Sequence, residues 1–524
     1  MASSPDGAAL SVLFESPEER ARAQGAMPSA EVLGDLHLAE VFDAAVSGRE
    51  QYGLAPLFGS PLVGPGAVRY RQEVARDLED PATAGCIGSF AEGMGWARSY
   101  LRGMGQVHGP RYKQAWFLDA AEKYCAAVAG LHEGLARLPL RSRALARLRD
   151  FLAAYTRSER FARPREQTRR LRAELASVRY CIAIKGTRVT VSAYEGEPDY
   201  SAEIEQTFSR FRQGEVKDFR STYREQRDAN HVHAQVLERV ARLYPETFAR
   251  LEAFYEGRHD LVDATVETFD REVQFYLAYL SFVAPLRGAG LPFCYPEVCA
   301  PPGSTGAGAA TGAGAAFDIA LAAKLVKEGS PVVTNDVALS GPERILVVSG
   351  PNSGGKTTFA RMFGQLHYLA SLGLPVPGRA GRLCLADRIF THFEREERLE
   401  TLSGKLEDEL LRTRAILDEA TDRSVVVMNE SFASTTLADS RFIGARVLER
   451  LSDIGARCVY VTFVDELASL NQATVSMVAE VVPEDPDVRT FRVTKKPADG
   501  RAYAMALARK HALTYASLRA RVVP

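Results

Sequence analysis

The sequence predicts a mostly helical N-terminal half followed by a C-terminal α/β half with a largely parallel sheet. Three observations carry this. From Glu31 to Lys185, apolar residues recur three and four apart between charges, as in A-E-V-F-D-A-A-V and R-Y-R-Q-E-V-A-R-D-L-E-D. After residue 316, strand-like runs alternate with helical patterns, which is how a parallel sheet with crossover helices is written. Between one such strand and one such helix stands Gly350 to Thr358, G-P-N-S-G-G-K-T-T.

Composition fits a globular chain: 524 residues, 46% hydrophobic and 25% charged, enough for about two or three domains. The net charge is −1, so any nucleic-acid surface must come from local clustering of bases. Seven cysteines without a C-x-x-C pair argue for a reducing compartment and against a disulfide framework or zinc ribbon. Cys294 and Cys299, the closest pair, are expected to be buried free thiols. The start, M-A-S-S-P-D-G, lacks the basic segment of a signal peptide. The longest apolar run, near Phe275 to Leu286, is too short to span a bilayer and reads as a buried helix. The expectation is a cytoplasmic protein with no membrane contact.

In order along the chain, residues 1–30 read as a loose leader. Residues 31–300 read as a helical domain, with one helix ending at the Asp80-Pro81 step. Arg137 to Arg188 holds fifteen Arg or Lys against four acids, too few to neutralise them locally, which favours contact with an acidic polymer. Tyr180 to Tyr194 alternates and is β-branched, with a turn at Lys185-Gly186, so a small hairpin is expected near 175–215. An acidic patch follows (Glu195, Glu197, Asp199, Glu203, Glu205), and then helices resume to about Leu286. Residues 301–316 are Gly/Ala-rich and read as a flexible loop. Residues 317–524 form the α/β part: strands at Ile345–Ser349, 424–428 and 458–462, and helices from Lys356 and near 441–451.

Gly350-Pro351-Asn352-Ser353-Gly354-Gly355-Lys356-Thr357 fits G-x-x-x-x-G-K-[ST], with Thr358 following. Glycines let backbone N–H groups converge on phosphate oxygens, helped by the start of the next helix. Lys356 would bridge the β- and γ-phosphates of ATP, and the Thr357 hydroxyl would ligate Mg²⁺. About seventy residues on, V-V-V-M-N-E ends in Asn429 and Glu430 at the tip of a buried strand. Glu430 is the candidate catalytic base. Asn429 keeps an acceptor oxygen for the metal shell but no charge, so weak Mg²⁺ binding and slow turnover are expected.

These motifs belong to a longer series that resembles the MutS family of DNA mismatch-repair ATPases, relatives of ABC-type ATPases. Asn335-Asp336, Asp387-Arg388-Ile389-Phe390-Thr391, Ser434-Thr435-Thr436 with Asp439, and Thr462, Glu466 and Leu467 match family segments closely over about 320–480. The resemblance implies an ABC-type P-loop ATPase domain, and that Ser403 reaches the γ-phosphate across a homodimer. It implies that Ser60 to Val74 begins a helical lever and that the hairpin is a reduced β clamp. Lys185 and Arg188 at its tip would then touch DNA phosphates without reading sequence. C-terminal helices from Tyr503 would help the dimer form.

Three departures stand out: Asn429 for the usual aspartate, Phe463 for a histidine, and no room before the lever for the family's mismatch-reading domain and connector. Phe90-Ala-Glu92 and Phe254-Tyr-Glu256 match the mismatch probe's Phe-x-Glu but lie in helical stretches, as chance matches. Nor is there room after the ATPase for an appended nuclease. The implied function is a slow, structure-selective DNA-binding ATPase of mismatch repair or related repair and recombination, with a possible MutL-like partner. A non-hydrolysing, nucleotide-gated interaction module is the alternative, and a transporter ATPase fits poorly.

Overall fold

The computed structural model describes residues 10–25, 30–107, 109–197, 231–257, 259, 261–299, 310–395, 404–482, 488–498, 513, 515 and 518–519. The chain divides into two compact units. One comprises Met1–Leu78, Arg141–Ala144 and Arg271–Pro524; the other comprises Glu79–Leu140 and Leu145–Asp270. In place of a boundary near residue 300, one unit is inserted within the other, and its last boundary, between Asp270 and Arg271, falls inside the helix Ala264–Gly288.

The inserted unit is helical. Asp80 accepts from the Thr83 N–H at 2.9 Å and caps the helix Pro81–Gly103, whose Pro81 suits the first helical turn. This helix packs along Pro110–Arg137 through small residues: a Cβ on Gly93 would come within 2.8 Å of Ala127 Cβ, and one on Gly134 would overlap Cys86. Phe90 and Phe254 are core residues, packed on Phe269 and Phe117, as their helical positions predict. β1 (Tyr180–Lys185) and β2 (Arg188–Ala193) form the expected hairpin, with Lys185 paired to Arg188 around Gly186 at φ 63°. The later acidic patch, from Asp199, lies outside the described residues.

The Arg-rich stretch corrects one inference. At least six of its arginines are ion-paired, and several partners are remote in sequence. Within the inserted unit, Arg172 meets Asp119 and Glu122, and Arg160 meets Asp263; in the other unit, Arg143 meets Glu15 and Glu73. Folding recruits acids that a local count omits.

The larger unit contains a six-stranded sheet in the order β10-β11-β12-β7-β13-β14. Its strands are β7 (Ile345–Ser349), β10 (Ile389–Phe393), β11 (Val425–Asn429), β12 (Arg457–Val461), β13 (Thr474–Val481) and β14 (Arg489–Lys495). All neighbours are parallel except β13 and β14. β7, β11 and β12 are buried along their whole length, which explains their apolar runs. Val426, Met428, Cys458 and Tyr460 pack with Val447, Leu448 and Leu451 of the helix Leu437–Ile454. On the other side, the helix Lys356–Ser371 comes close enough that a Cβ on Gly364 would meet Val427 at 3.3 Å.

β3 (Phe293–Cys294) and β8 (Val376–Pro377) form a short antiparallel pair, and a second sheet runs in the order β4 (Glu297–Cys299), β9 (Ala380–Cys384), β5 (Thr311–Ala316), β6 (Asn335–Leu339). Three expectations are corrected in this unit. The Gly/Ala-rich segment is not a loop throughout: residues 300–309 lie outside the described residues, but 311–316 form β5. Gly312 is needed there, since a Cβ would overlap the Val337 carbonyl. Cys299 is bonded to Cys384, brought alongside by the parallel β4–β9 register; spacing 85 residues apart in sequence could not reveal this. Cys294 remains free. The leader is partly built in: Val12, Leu13 and Phe14 are buried, and the Ser11 hydroxyl donates to Glu272 at 2.7 Å. The apolar S-V-L-F run was masked by averaging over thirty residues. Among the described residues no helix is long and apolar enough to cross a membrane.

Candidate functional site

The register places three strand ends side by side. Asn429 on β11 sits opposite Val461 on β12, and Val461 opposite Val348 on β7. The carboxyl edge of a parallel sheet is where α/β folds collect ligands. Backbone bonds tie the outgoing loops across this edge: Glu430 N–H donates to Val461 C=O, and Thr462 N–H to Val348 C=O, each at 3.0 Å.

The glycine-rich loop leaves β7 here. Gly350 has φ 118°, and a Cβ on it would lie 2.9 Å from the Ala479 carbonyl. Gly355, at φ 93°, starts the helix Lys356–Ser371. These two positions need glycine on geometric grounds. Ser353 adopts φ 58° without being glycine, a strained conformation of the kind that gathers at functional sites. Pro351 and Gly354 are buried, Asn352 and Ser353 exposed, and Thr357 and Thr358 half-buried. Arg489 Nε donates to the Asn352 carbonyl at 3.1 Å.

Lys356 is 4% exposed. Its Nζ donates to the Gly350 and Pro351 carbonyls at 3.0 and 3.1 Å and lies 4.4 Å from the centre of the Phe463 ring. Burial pushes the ammonium below its ordinary value; Glu430 opposes that, Arg489 adds to it, and Asp465 opposes it. A dehydrated cation held by loop carbonyls and an aromatic face, which attracts it weakly, can exchange those partners for an anion.

Asn429 is buried, and its Oδ1 has no hydrogen-bond partner among the described residues. An orphaned oxygen at a strand tip has an unmet need for a donor or cation. No cluster of three or more His, Cys, Asp or Glu suited to a metal occurs among the described residues. The oxygens of Thr357 and Asn429 are of the donor type that a hard cation takes alongside waters and phosphate.

A supporting network was not foreseen. Glu430 and Phe432 both have positive φ, 52° and 62°. The turn is pinned from behind: Phe432 N–H donates to Glu409 Oε2 at 2.9 Å, and Ser431 Oγ lies 2.9 Å from His392 Nδ1. His392 Nε2 reaches the Glu409 carbonyl at 3.3 Å. Burial, with help from Arg412, pushes His392 down to about 4, so it is neutral near pH 7. His392 lies one residue past the matched segment Asp387–Thr391.

Other expected residues have structural partners. Asn335 bonds the Phe491 carbonyl and Val493 N–H; Asp387 accepts from Thr421 and Ser424; Thr436 caps Leu437–Ile454 with Asp439. Thr462 Oγ1 accepts from Val464 N–H, and Glu466 lies 4.0 Å from Arg441. Ser403 lies outside the described residues, as do most of the C-terminal residues from Tyr503. Lys185 and Arg188 belong to the inserted unit and are exposed.

Fold and site together define a mixed α/β protein with a glycine-rich strand–loop–helix at the carboxyl edge of a buried parallel sheet. Residues 346–519 match the family model for MutS domain V. Over this C-terminal part the chain is similar to MutS-family proteins. It is similar to the DNA mismatch repair protein MutS of Granulibacter bethesdensis, 38% identical over 142 residues, covering 27% of this chain and 15% of that protein. The MutS of Zymomonas mobilis is 37% identical over 147 residues, 28% of this chain and 17% of its own. That of Erythrobacter litoralis is 32% identical over 192 residues, 36% and 22%. The chain thus matches less than a quarter of the length of these relatives.

Proposed function

We propose that the chain is a MutS-like, DNA-binding ATPase that turns over slowly and acts in mismatch repair or a related DNA repair process. The observation that carries this reading is Lys356: a buried cation held by two loop carbonyls and Phe463, beside Glu430 at the sheet edge. Gly350, Pro351, Asn352, Ser353, Gly354, Gly355, Lys356, Thr357 and Thr358 would form the ATP cradle. Lys356 would turn from its carbonyls to the β- and γ-phosphates. Glu430 would accept the proton of the attacking water as the bond to ADP breaks. Thr357 and Asn429 would help hold Mg²⁺, which when bound neutralises phosphate charge. Asn429 contributes no charge, so that hold is weak. Ser403 of a second copy would complete the site in a homodimer, and Lys185 and Arg188 would touch DNA phosphates. A MutL-like protein is a candidate partner.

The test is steady-state phosphate release by wild type and Glu430→Ala, with ATP binding measured in both. Hydrolysis by wild type that falls at least about a hundredfold in the variant supports the reading. Equal inactivity of both, with ATP still bound, favours a second reading: a non-hydrolysing, nucleotide-gated module. The neutral Asn429 and the Phe463 ring over Lys356 are what recommend that alternative. Absence of binding to duplex, mismatched, branched and single-stranded DNA at low salt would remove the DNA part.

A further inference from the structure

Both tryptophans of the chain lie at one cavity in the inserted unit. The cavity, about 360 Å³, is lined by Trp96, Tyr100, Arg102, Gly103, Gln106 and Trp116, with Ser99 beside them. Trp96, Ser99, Tyr100 and Gly103 follow the i, i+3, i+4, i+7 pattern, so they share one face of the helix Pro81–Gly103. Trp116 comes from the first turns of Pro110–Arg137. It meets Tyr100 edge-to-face, with centroids 5.9 Å apart. Gly103 makes room for it, since a Cβ there would overlap the Trp116 ring. Trp96, however, is 52% exposed, far more than a tryptophan serving only to fill a core.

Basic residues outnumber acids along the two lining segments, with Glu92 and Asp119 at their edges. From Gly93 to Leu118 the sequence holds four Arg or Lys and no Asp or Glu. Arg98 and Arg111 are neutralised within the unit, by Asp270 and by Glu238 and Glu252. Arg102 is exposed and, among the described residues, has no ion-pair partner. Gln106, also exposed, offers both an amide donor and an acceptor. Flat aromatic faces, an unneutralised guanidinium and an amide are what a stacked nucleobase with its phosphate requires.

We infer that the Trp96–Tyr100–Trp116 cavity binds an unpaired base of a single-stranded nucleic acid, with Arg102 on the adjacent phosphate and Gln106 on the base edge. Stacking accepts any base, so the site senses strandedness and ignores sequence. It shares no residue with the hairpin.

Because the chain has no other tryptophan, intrinsic tryptophan emission of the full-length protein reports on this cavity alone. The probes are oligothymidylate and oligouridylate of about 15 nucleotides, long enough for a single-strand site, at low salt. Saturable quenching is expected, weakened about tenfold by Trp96→Ala and largely restored by Trp96→Phe. Quenching by only one oligomer identifies DNA or RNA as the source of the base. Excess duplex should leave the quench in place, which separates this site from hairpin binding. The inference is overturned if neither oligomer quenches, if Trp96→Ala binds as tightly as wild type, or if duplex quenches equally well.

Discussion

The sheet-edge site and the β1–β2 hairpin both present bases, but they hold them in opposite ways. Lys356 is buried, fixed by two carbonyls and a ring, and shifted by its surroundings. Lys185 and Arg188 are exposed and, among the described residues, have no ion-pair partner. A dehydrated, positioned cation makes a strong directional contact, because little reorganisation remains when the anion arrives. An exposed cation acts through a screened field and contributes modestly, whatever the sequence beneath it. The first arrangement suits a single small anion, and the second suits a polymer of phosphates.

That contrast can be sharpened at the metal position. Asn429→Asp should lower the Mg²⁺ concentration needed for half-maximal ATP hydrolysis by roughly tenfold, the scale of one charge-assisted contact. Without Mg²⁺ the same variant should melt at a lower temperature, since it buries an unpaired charge. No change in Mg²⁺ dependence would mean that Asn429 lies outside the metal's reach. On the hairpin, Lys185→Ala and Arg188→Ala should each weaken DNA binding a few-fold on every sequence and reduce the salt slope by about 1. A base-dependent loss would break the contrast, because it would mean that the hairpin reads sequence.

The smallest effect concerns the network behind Glu430. His392 is held near 4 when folded but takes a proton at its ordinary 6.5 when unfolded. Between those values the unfolded chain binds the extra proton, so stability falls as pH drops from about 6.5 to 4. His392→Gln should flatten that part of a melting-temperature profile. Glu409, raised by burial, acts in the opposite sense, so the comparison is between the profiles of variant and wild type.

The sequence was most legible where residue type and backbone geometry coincide. Gly350 and Gly355 are glycines because their φ values and close neighbours demand it, and the buried strands β7, β11 and β12 carry apolar runs, broken only by Ser349, Asn429 and Arg457 at their ends, because both faces are covered. It was least legible where the fold joins distant segments. Acids for Arg160 and Arg172, the Cys299–Cys384 bond and the Glu409–His392–Ser431 support are set by packing that no local pattern encodes. The Gly/Ala-rich β5 was misread for a related reason: small residues signal flexibility in isolation and close strand approach inside a sheet.

The central claim is that the buried Lys356 ammonium exchanges its two carbonyls and the Phe463 ring for nucleotide phosphate. Titration calorimetry with Mg²⁺ and ATP on wild type and Lys356→Met tests it most directly. Wild type should bind ATP, with affinity falling about tenfold or more in the variant, as expected for loss of a charged hydrogen-bond donor. Equal affinities, in variants that remain folded, would contradict it.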